Sequence, residues 1–209
     1  RLVDCTLGRL IFNEVIPQDL GFQPRESLDD MFLLEIDHEV VKKDLGKIVD
    51  NCFHVDGVNI CAKVLDDIKH LGYAYSTRGA ITVSIADIIV PPEKGEWLAE
   101  ADEEVSKIEA KYRRGLMSED ERYKAVINVW TDTTNRLKGK VMGVLDSKNP
   151  IYMMTNSGAR GSVGQVAQLA GMRGLMASPS GKTIELPIRA NFREGLNVLE
   201  FFMSSHGSR

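Results

Sequence analysis

The sequence predicts a mainly α chain with small β elements, an α+β fragment in several parts from which an antiparallel coiled-coil hairpin protrudes. Three observations carry that prediction. Residues 93–149 hold two seams of apolar residues at alternating three- and four-residue steps, the signature of paired helices. The flanking stretches place apolar residues at helical spacing and are punctuated by proline and glycine. Strand-like alternation is confined to two short runs, 81–85 and 183–187.

The first region is 1–92. Leu7, Leu10, Ile11 and Val15 predict a short amphipathic helix that stops at Pro17. A polar loop with Gly21, Pro24, Asp29 and Asp30 follows. Helix resumes near Asp37 on Val40, Val41, Leu45, Ile48, Val49 and Cys52. A further helix from Val58 to Leu71 is expected to end at Gly72, a residue suited to a left-handed cap. The strand-like run at 81–85 and Pro91-Pro92 close the region.

The second region is 93–149. Leu98, Ala101, Val105, Ile108 and Tyr112 form one seam, and Gly115 ends its helix. Ser118 and Glu121 form a capping box, in which hydroxyl and carboxylate each satisfy the other residue's amide. The second seam runs through Tyr123, Ile127, Trp130, Thr134, Leu137, Val141 and Val144. Two such helices joined by a few residues fold back on each other.

The third region is 150–209. Glycines 158, 161 and 164 bracket Arg160, and helix is expected through Val166, Leu169, Ala170, Arg173 and Met176. Gly181 marks a hairpin turn before the strand-like 183–187. A last helix is expected from Asn191, with Asn191 as N-cap, Glu194 three residues on, and Leu196, Leu199, Phe202 and Met203 as its apolar side. The chain stops inside that helical stretch, so it reads as a piece of a longer protein.

Charge sharpens the division. The 209 residues carry a formal charge of −4, with no overall basic footprint for nucleic acid. Residues 1–92 hold 9 Lys/Arg against 15 Asp/Glu, whereas 150–209 hold 6 against 3, so the last region is where a polyanion is welcome. Three cysteines leave one unpaired in any disulfide scheme, which suits a reducing, intracellular setting. No apolar run reaches the roughly 20 residues of a membrane span.

Several familiar chemistries fail on spacing. Cys52, His54, Cys61 and His70 match no zinc pattern, and both cysteines sit on apolar helical positions, so buried thiols are expected. The 180–183 run Ser-Gly-Lys-Thr resembles the end of a phosphate loop, but Met176 stands where its first glycine belongs. The bracketing glycines also miss the dinucleotide-binding spacing. An autonomous phosphate-binding enzyme built on Arg160 lacks a general base and metal ligands. A free-standing coiled-coil adaptor is the other reading these residues allow.

Longer strings point further. Asn-Pro-Ile-Tyr-Met-Met at 149–154, Ser-Gly-Ala-Arg-Gly-Ser at 157–162, Gln-Leu-Ala-Gly-Met-Arg-Gly-Leu-Met at 168–176 and Asn-Phe-Arg-Glu-Gly-Leu-Asn-Val-Leu at 191–199 resemble the largest (beta prime) subunit of bacterial DNA-directed RNA polymerase. Thr-Leu-Gly-Arg-Leu-Ile-Phe-Asn at 6–13 is similar to its pore-side segment after the catalytic loop, and 112–116 with 121–123 to a hairpin tip at the secondary-channel rim.

The resemblance implies roles. Residues 1–92 would be the pore-side segment, 93–149 the rim (funnel) hairpin, and 150–209 the F-loop region followed by the N-terminal half of the bridge helix. Arg160 would contact the NTP triphosphate. Gly158, Gly161, Arg173, Met176 and His206 would support the active centre. Tyr112, Arg113, Arg114, Arg122 and Tyr123 would dock factors at the rim. Implied partners are the beta, alpha, omega and sigma subunits, template DNA, nascent RNA, NTP and secondary-channel transcription factors, with no membrane. Implied localisation is cytoplasmic and nucleoid-associated. The family's triple-aspartate loop and zinc-binding cysteines do not occur in this sequence. Its magnesium and zinc sites would thus lie outside the fragment, which alone is expected to be inactive and free of cofactors. Lys124 and Ala125 stand where an Asn-Lys pair serves a ppGpp-type regulatory site in some relatives.

Overall fold

A computed structural model describes residues 4–28, 30–178 and 180–206, the side chain of His206 excepted. Among them are α1 (Leu7–Glu14), α2 (Lys42–Arg78), α3 (Lys94–Arg113), α4 (Glu119–Val144), α5 (Pro150–Ser157), α6 (Val163–Ala170) and α7 (Val198–His206). The chain divides into two compact units, 1–82 with 156–159, and 83–155 with 160–209. No described helix is long and apolar enough to cross a membrane.

In the first unit, Thr6 caps α1 by accepting from the Arg9 amide at 3.3 Å. Buried Asn13 ties α1 to the later loop. Its amide donates to Ile36 O at 2.7 Å, and its Oδ1 accepts from Ile36 N at 2.9 Å. Buried Glu35 accepts from the Phe22 amide at 2.6 Å and pairs with Arg25 at 3.2 Å.

Helix α2 departs from the sequence reading. It begins at Lys42 rather than near Asp37, and runs through Gly72 to Arg78, with Gly79 as its C-cap, instead of ending at the predicted cap. A mid-helix glycine costs only about 1 kcal/mol, too little to stop a helix whose neighbours continue it. The real break is at Gly57, whose φ of 79° and ψ of 179° are non-helical. At 3.6 residues per turn, Cys52 and Cys61 would face opposite sides of a continuous helix. The break lets both enter one core with Ile16, Leu20, Ile36, Ile48 and Val64. Nothing lies within 4 Å of a Cβ built on Gly57, so only backbone strain opposes a side chain there. Gly57→Ala should therefore cost roughly 1–3 kcal/mol, read as a lowered urea midpoint at unchanged slope.

The expected strand at 81–85 does not form. Ser84 and Asp87 close a capping box on a 3-10 turn, Ile85–Asp87, with Ser84 N to Asp87 Oδ2 at 2.6 Å. With no partner strand, local side-chain bonding to the backbone wins.

In the second unit, α3 and α4 pack side by side. Tyr112 lies beneath Arg122, Trp97 beneath Arg136, and Glu93 pairs with Lys140, so the helices run antiparallel. Ala101, Leu98, Val105 and Ile108 pack from α3 as spaced. On α4 the fully buried line is Val126, Trp130, Thr133, Leu137 and Val141, displaced from the predicted Ile127 and Thr134, which are half-buried. Helix α4 packs on α6 as well as on α3, and Met172 joins its core, so its buried stripe is broader than a two-helix seam.

Helix α5 opens on Pro150, a good first helical residue, where no helix was expected. Helix α6 is capped by Ser162 and Gln165 but ends at Ala170, leaving Arg173 and Met176 outside it. The Arg173 amide bonds Ala190 O at 3.2 Å, and Ile184 N bonds Met176 O at 2.8 Å, so the segment pairs with 183–190 instead of coiling. Only isolated antiparallel bridges result, Gly174 with Ile188 and Ala177 with Thr183, and no strand is formed among the described residues. Gly181 turns that excursion at φ 84°. The cap at Asn191 also forms, yet it closes a single turn, and the helix proper begins at Val198 after Gly195 at φ 85°.

Candidate functional site

The α3–α4 turn gathers aromatic and cationic groups. Arg113 is exposed and pairs loosely with Glu109 at 3.7 Å, Arg114 caps α3, and Leu116 beside them is 73% exposed. Arg122 is different: its side chain is 14% exposed, held by Glu119 at 2.5 Å and by Glu185 at 2.7 and 3.0 Å. Those carboxylates, Glu119 foremost, raise its pKa further above the usual guanidinium range. A hydrogen bond to Glu119 likewise raises the Tyr112 phenol. Tyr123 donates to Thr183 O at 2.9 Å, and Lys182 lies over its ring at 4.6 Å. Thus Arg122 and Tyr123 are joined to the 182–185 loop, with Tyr112 held against Arg122 and Glu119, while Arg113, Arg114 and Leu116 face outward.

Arg160 lies in the α5–α6 loop. Its backbone amide bonds Met154 O at 3.2 Å, and its exposed side chain makes no hydrogen bond or ion pair with any described residue. Gly158 and Gly161 adopt φ 76° and 86°. A Cβ on Gly158 would meet Lys42 Cβ at 3.0 Å within the first unit, so that glycine permits a close approach as well as a turn. Arg173 instead donates to Ser204 of α7 and lies over the Phe192 ring at 5.1 Å. The Met176 carbonyl is used by the 182–188 segment. The His206 side chain lies outside the described residues.

Cys52 and Cys61 are buried, and burial with Cys61 alongside pushes the Cys52 thiol up to about 11. A protonated buried thiol is neither nucleophile nor ligand. Among the described residues no three His, Cys, Asp or Glu converge as a metal site. An apolar cavity of about 850 Å3 in the first unit is lined by α1, α2 and 157–159 and, Gly158 apart, by none of the predicted site residues.

Residues 1–88 match the family described as RNA polymerase Rpb1, domain 3, and residues 117–193 match RNA polymerase Rpb1, domain 4. DNA-directed RNA polymerase subunit beta' of Clostridium perfringens (strain 13) is 60% identical over 208 residues, covering 100% of this chain. The beta' subunits of Caldanaerobacter subterraneus subsp. tengcongensis and Caldicellulosiruptor saccharolyticus are 56% and 54% identical, again over 100% of the chain. The chain belongs to the RNA polymerase beta' family. It spans 18% of the length of these relatives.

Helix α3 falls between the two matched domains, whereas α4, α5, α6 and the Asn191 turn lie within domain 4. Sequence reasoning missed the groups that hold this beta' segment together: Lys94, Glu185 and Asn191 as a buried anchor rather than a simple cap. Asn191 is fully buried and donates to Ala170 O and Gly171 O at 3.0 and 3.2 Å. The capping pattern could find Asn191 and Glu194, but nothing local marks Lys94, whose partner lies 100 residues away.

Proposed function

We propose that this chain serves template-directed RNA synthesis as a segment of the beta' subunit of the multisubunit polymerase. Identity of 54–60% to beta' subunits across the whole chain carries that reading. Residues 1–92 form the pore-side segment, and 93–149 a coiled-coil rim hairpin that projects beside the secondary channel. Residues 150–209 supply the F-loop region and the start of the bridge helix, α7. The segment works only in the assembled enzyme, with beta, alpha, omega and sigma subunits, template DNA and nascent RNA as partners, in the cytoplasm at the nucleoid. Catalytic magnesium and structural zinc are held by other parts of beta', so the piece alone adds no nucleotide. Exposed Val198, Leu199, Phe201 and Phe202 on α7 suit burial against those other parts.

Two surfaces carry the contribution. At the rim, Arg113, Arg114 and Leu116 meet transcription factors, and Tyr112, Arg122 and Tyr123 fix the shape of the tip. In the loop, Arg160 offers a planar fork of donors to the NTP triphosphate, with no side-chain partner among the described residues to compete. Gly158 and Gly161 set the loop's backbone, while Arg173, Met176 and His206 brace α7 and its surroundings.

In an assembled polymerase carrying this sequence, Arg160→Ala should lower kcat/KM for NTP about tenfold or more, the loss of one charge-assisted phosphate contact. Promoter binding should persist. Arg173→Ala, by contrast, should act through α7. Wild-type NTP dependence in a normally assembled Arg160→Ala enzyme would remove Arg160 from the substrate site.

A further inference from the structure

Lys94 opens α3 with a side chain only 8% exposed, and no role proposed above uses it. A buried ammonium is unfavourable unless paired and hydrogen-bonded. Its partner is Glu194 Oε2 at 2.5 Å. The same oxygen accepts from the Asn191 amide at 3.4 Å, and the Glu194 amide returns a bond to Asn191 Oδ1 at 2.8 Å. Asn191 in turn is fixed to the end of α6.

The chain of contacts continues into α7. Glu200, in its first turn, accepts from the amides of Arg189 and Ala190 at 3.2 and 3.3 Å through Oε1, and from Asn197 at 3.1 Å through Oε2. Lys94, Arg189, Glu194 and Glu200 line one groove of about 520 Å3. A single charge at the base of the α3–α4 pair therefore sits at one end of a path, hydrogen-bonded on either side of the Ala190–Asn191 peptide link, whose other end is the first turn of α7. Arg189 with Asp102, at 2.6 and 2.8 Å, is a second tie from α3; its carboxylate is as open as that of Glu194, both 43% exposed, but its cation is 44% exposed where Lys94 is 8%, so solvent weakens it more.

We infer that Lys94 is a positioning residue which, through Glu194 and Asn191, sets where α7 begins and how its first turn is oriented. Its consequence for nucleotide addition rests on the proposal that α7 is the start of the bridge helix. A purely cohesive role would be served as well by an apolar side chain in a pocket of this kind. The charge adds direction, since only an orientation of the 191–194 turn that presents the Glu194 carboxylate satisfies it.

The test uses assembled polymerase whose beta' carries this sequence, with Lys94→Met, Glu194→Gln, the double variant and Lys94→Arg. Hydrogen exchange at 198–206 reads positioning directly. Single-nucleotide addition against NTP concentration reads its consequence. Lys94→Met and Glu194→Gln should each speed exchange at 198–206 and lower the maximal addition rate about two- to thirtyfold at unchanged KM. The double variant should be no worse than the worse single one, because the two act as a unit, and Lys94→Arg should keep most of the rate. Unchanged exchange, fully additive losses, or a rise in KM alone would overturn the assignment, as would weakened assembly with wild-type rate per assembled enzyme. If the wild-type enzyme makes no RNA, the polymerase reading falls, while the exchange measurement still decides whether Lys94 positions α7.

Discussion

Replacing Arg25 by methionine should destabilise the first unit by about 3–5 kcal/mol, the usual result of leaving a buried charge without its partner. The Glu35 side chain is wholly inaccessible, and Arg25 supplies its countercharge at 3.2 Å. Among the described residues, what remains after the change is the Phe22 amide at 2.6 Å, one neutral donor for the buried carboxyl group. Methionine keeps much of the arginine's apolar stem but also gives up its bonds to Leu33 O at 3.3 Å and Gln18 Oε1 at 3.5 Å, so a second variant is needed to isolate the charge. Urea unfolding of Arg25→Met and of the double variant Arg25→Met, Glu35→Gln measures it. The double variant should recover much of the loss, because glutamine can still accept from Phe22 without carrying a charge. A double variant as weak as the single one would assign the effect to lost packing.

Trp130→Ala should have a comparable effect in the second unit, about 3–5 kcal/mol for an aromatic core truncation. Trp130 is 2% exposed and packs with Ala101, Val126, Leu137 and Met172, so it joins α3, α4 and the segment after α6. Arg189 lies over its ring at 5.2 Å, a cation–π contact worth roughly 0.5–1 kcal/mol where partly exposed. Trp130→Phe, which keeps a ring, should lose less than half as much. Glu103→Lys, on the exposed side of α3, should shift stability by under about 0.5 kcal/mol. Similar losses from Trp130→Ala and Glu103→Lys would mean that the α3–α4 face is not a core.

Legibility of the sequence followed the range of the interactions. The caps at Ser118 and Asn191 could be read because each is closed within three residues. The α3 seam could be read because its period is a property of one helix. The family could be read because long strings such as 168–176 and 191–199 are chemically unusual, and whole-chain identity bears that out.

Non-local features were a different matter. The 81–85 run has an alternating pattern, but a strand needs a partner, and none among the described residues meets it. Gly72 and Gly57 look alike in sequence; which one breaks α2 depends on where the core of Ile16, Leu20 and Ile36 lies. The displaced line on α4 follows from a second neighbour, Met172, that no heptad pattern contains.

The site residues divide in the same way. By itself the sequence determined the family, the helical character, the glycines around Arg160 and the basic tip at 112–123, since these are written in adjacent residues. Only the tertiary structure decided which of those cations remain available. It commits Arg122 to Glu185, 63 residues away, and Arg173 to Ser204, 31 residues away, while leaving Arg160 without a partner among the described residues. It alone joins Lys94 to Glu194 across 100 residues. An ion pair is fixed by the distance between two charges in space, and that distance is set by the packing of the whole unit, which no stretch of sequence contains.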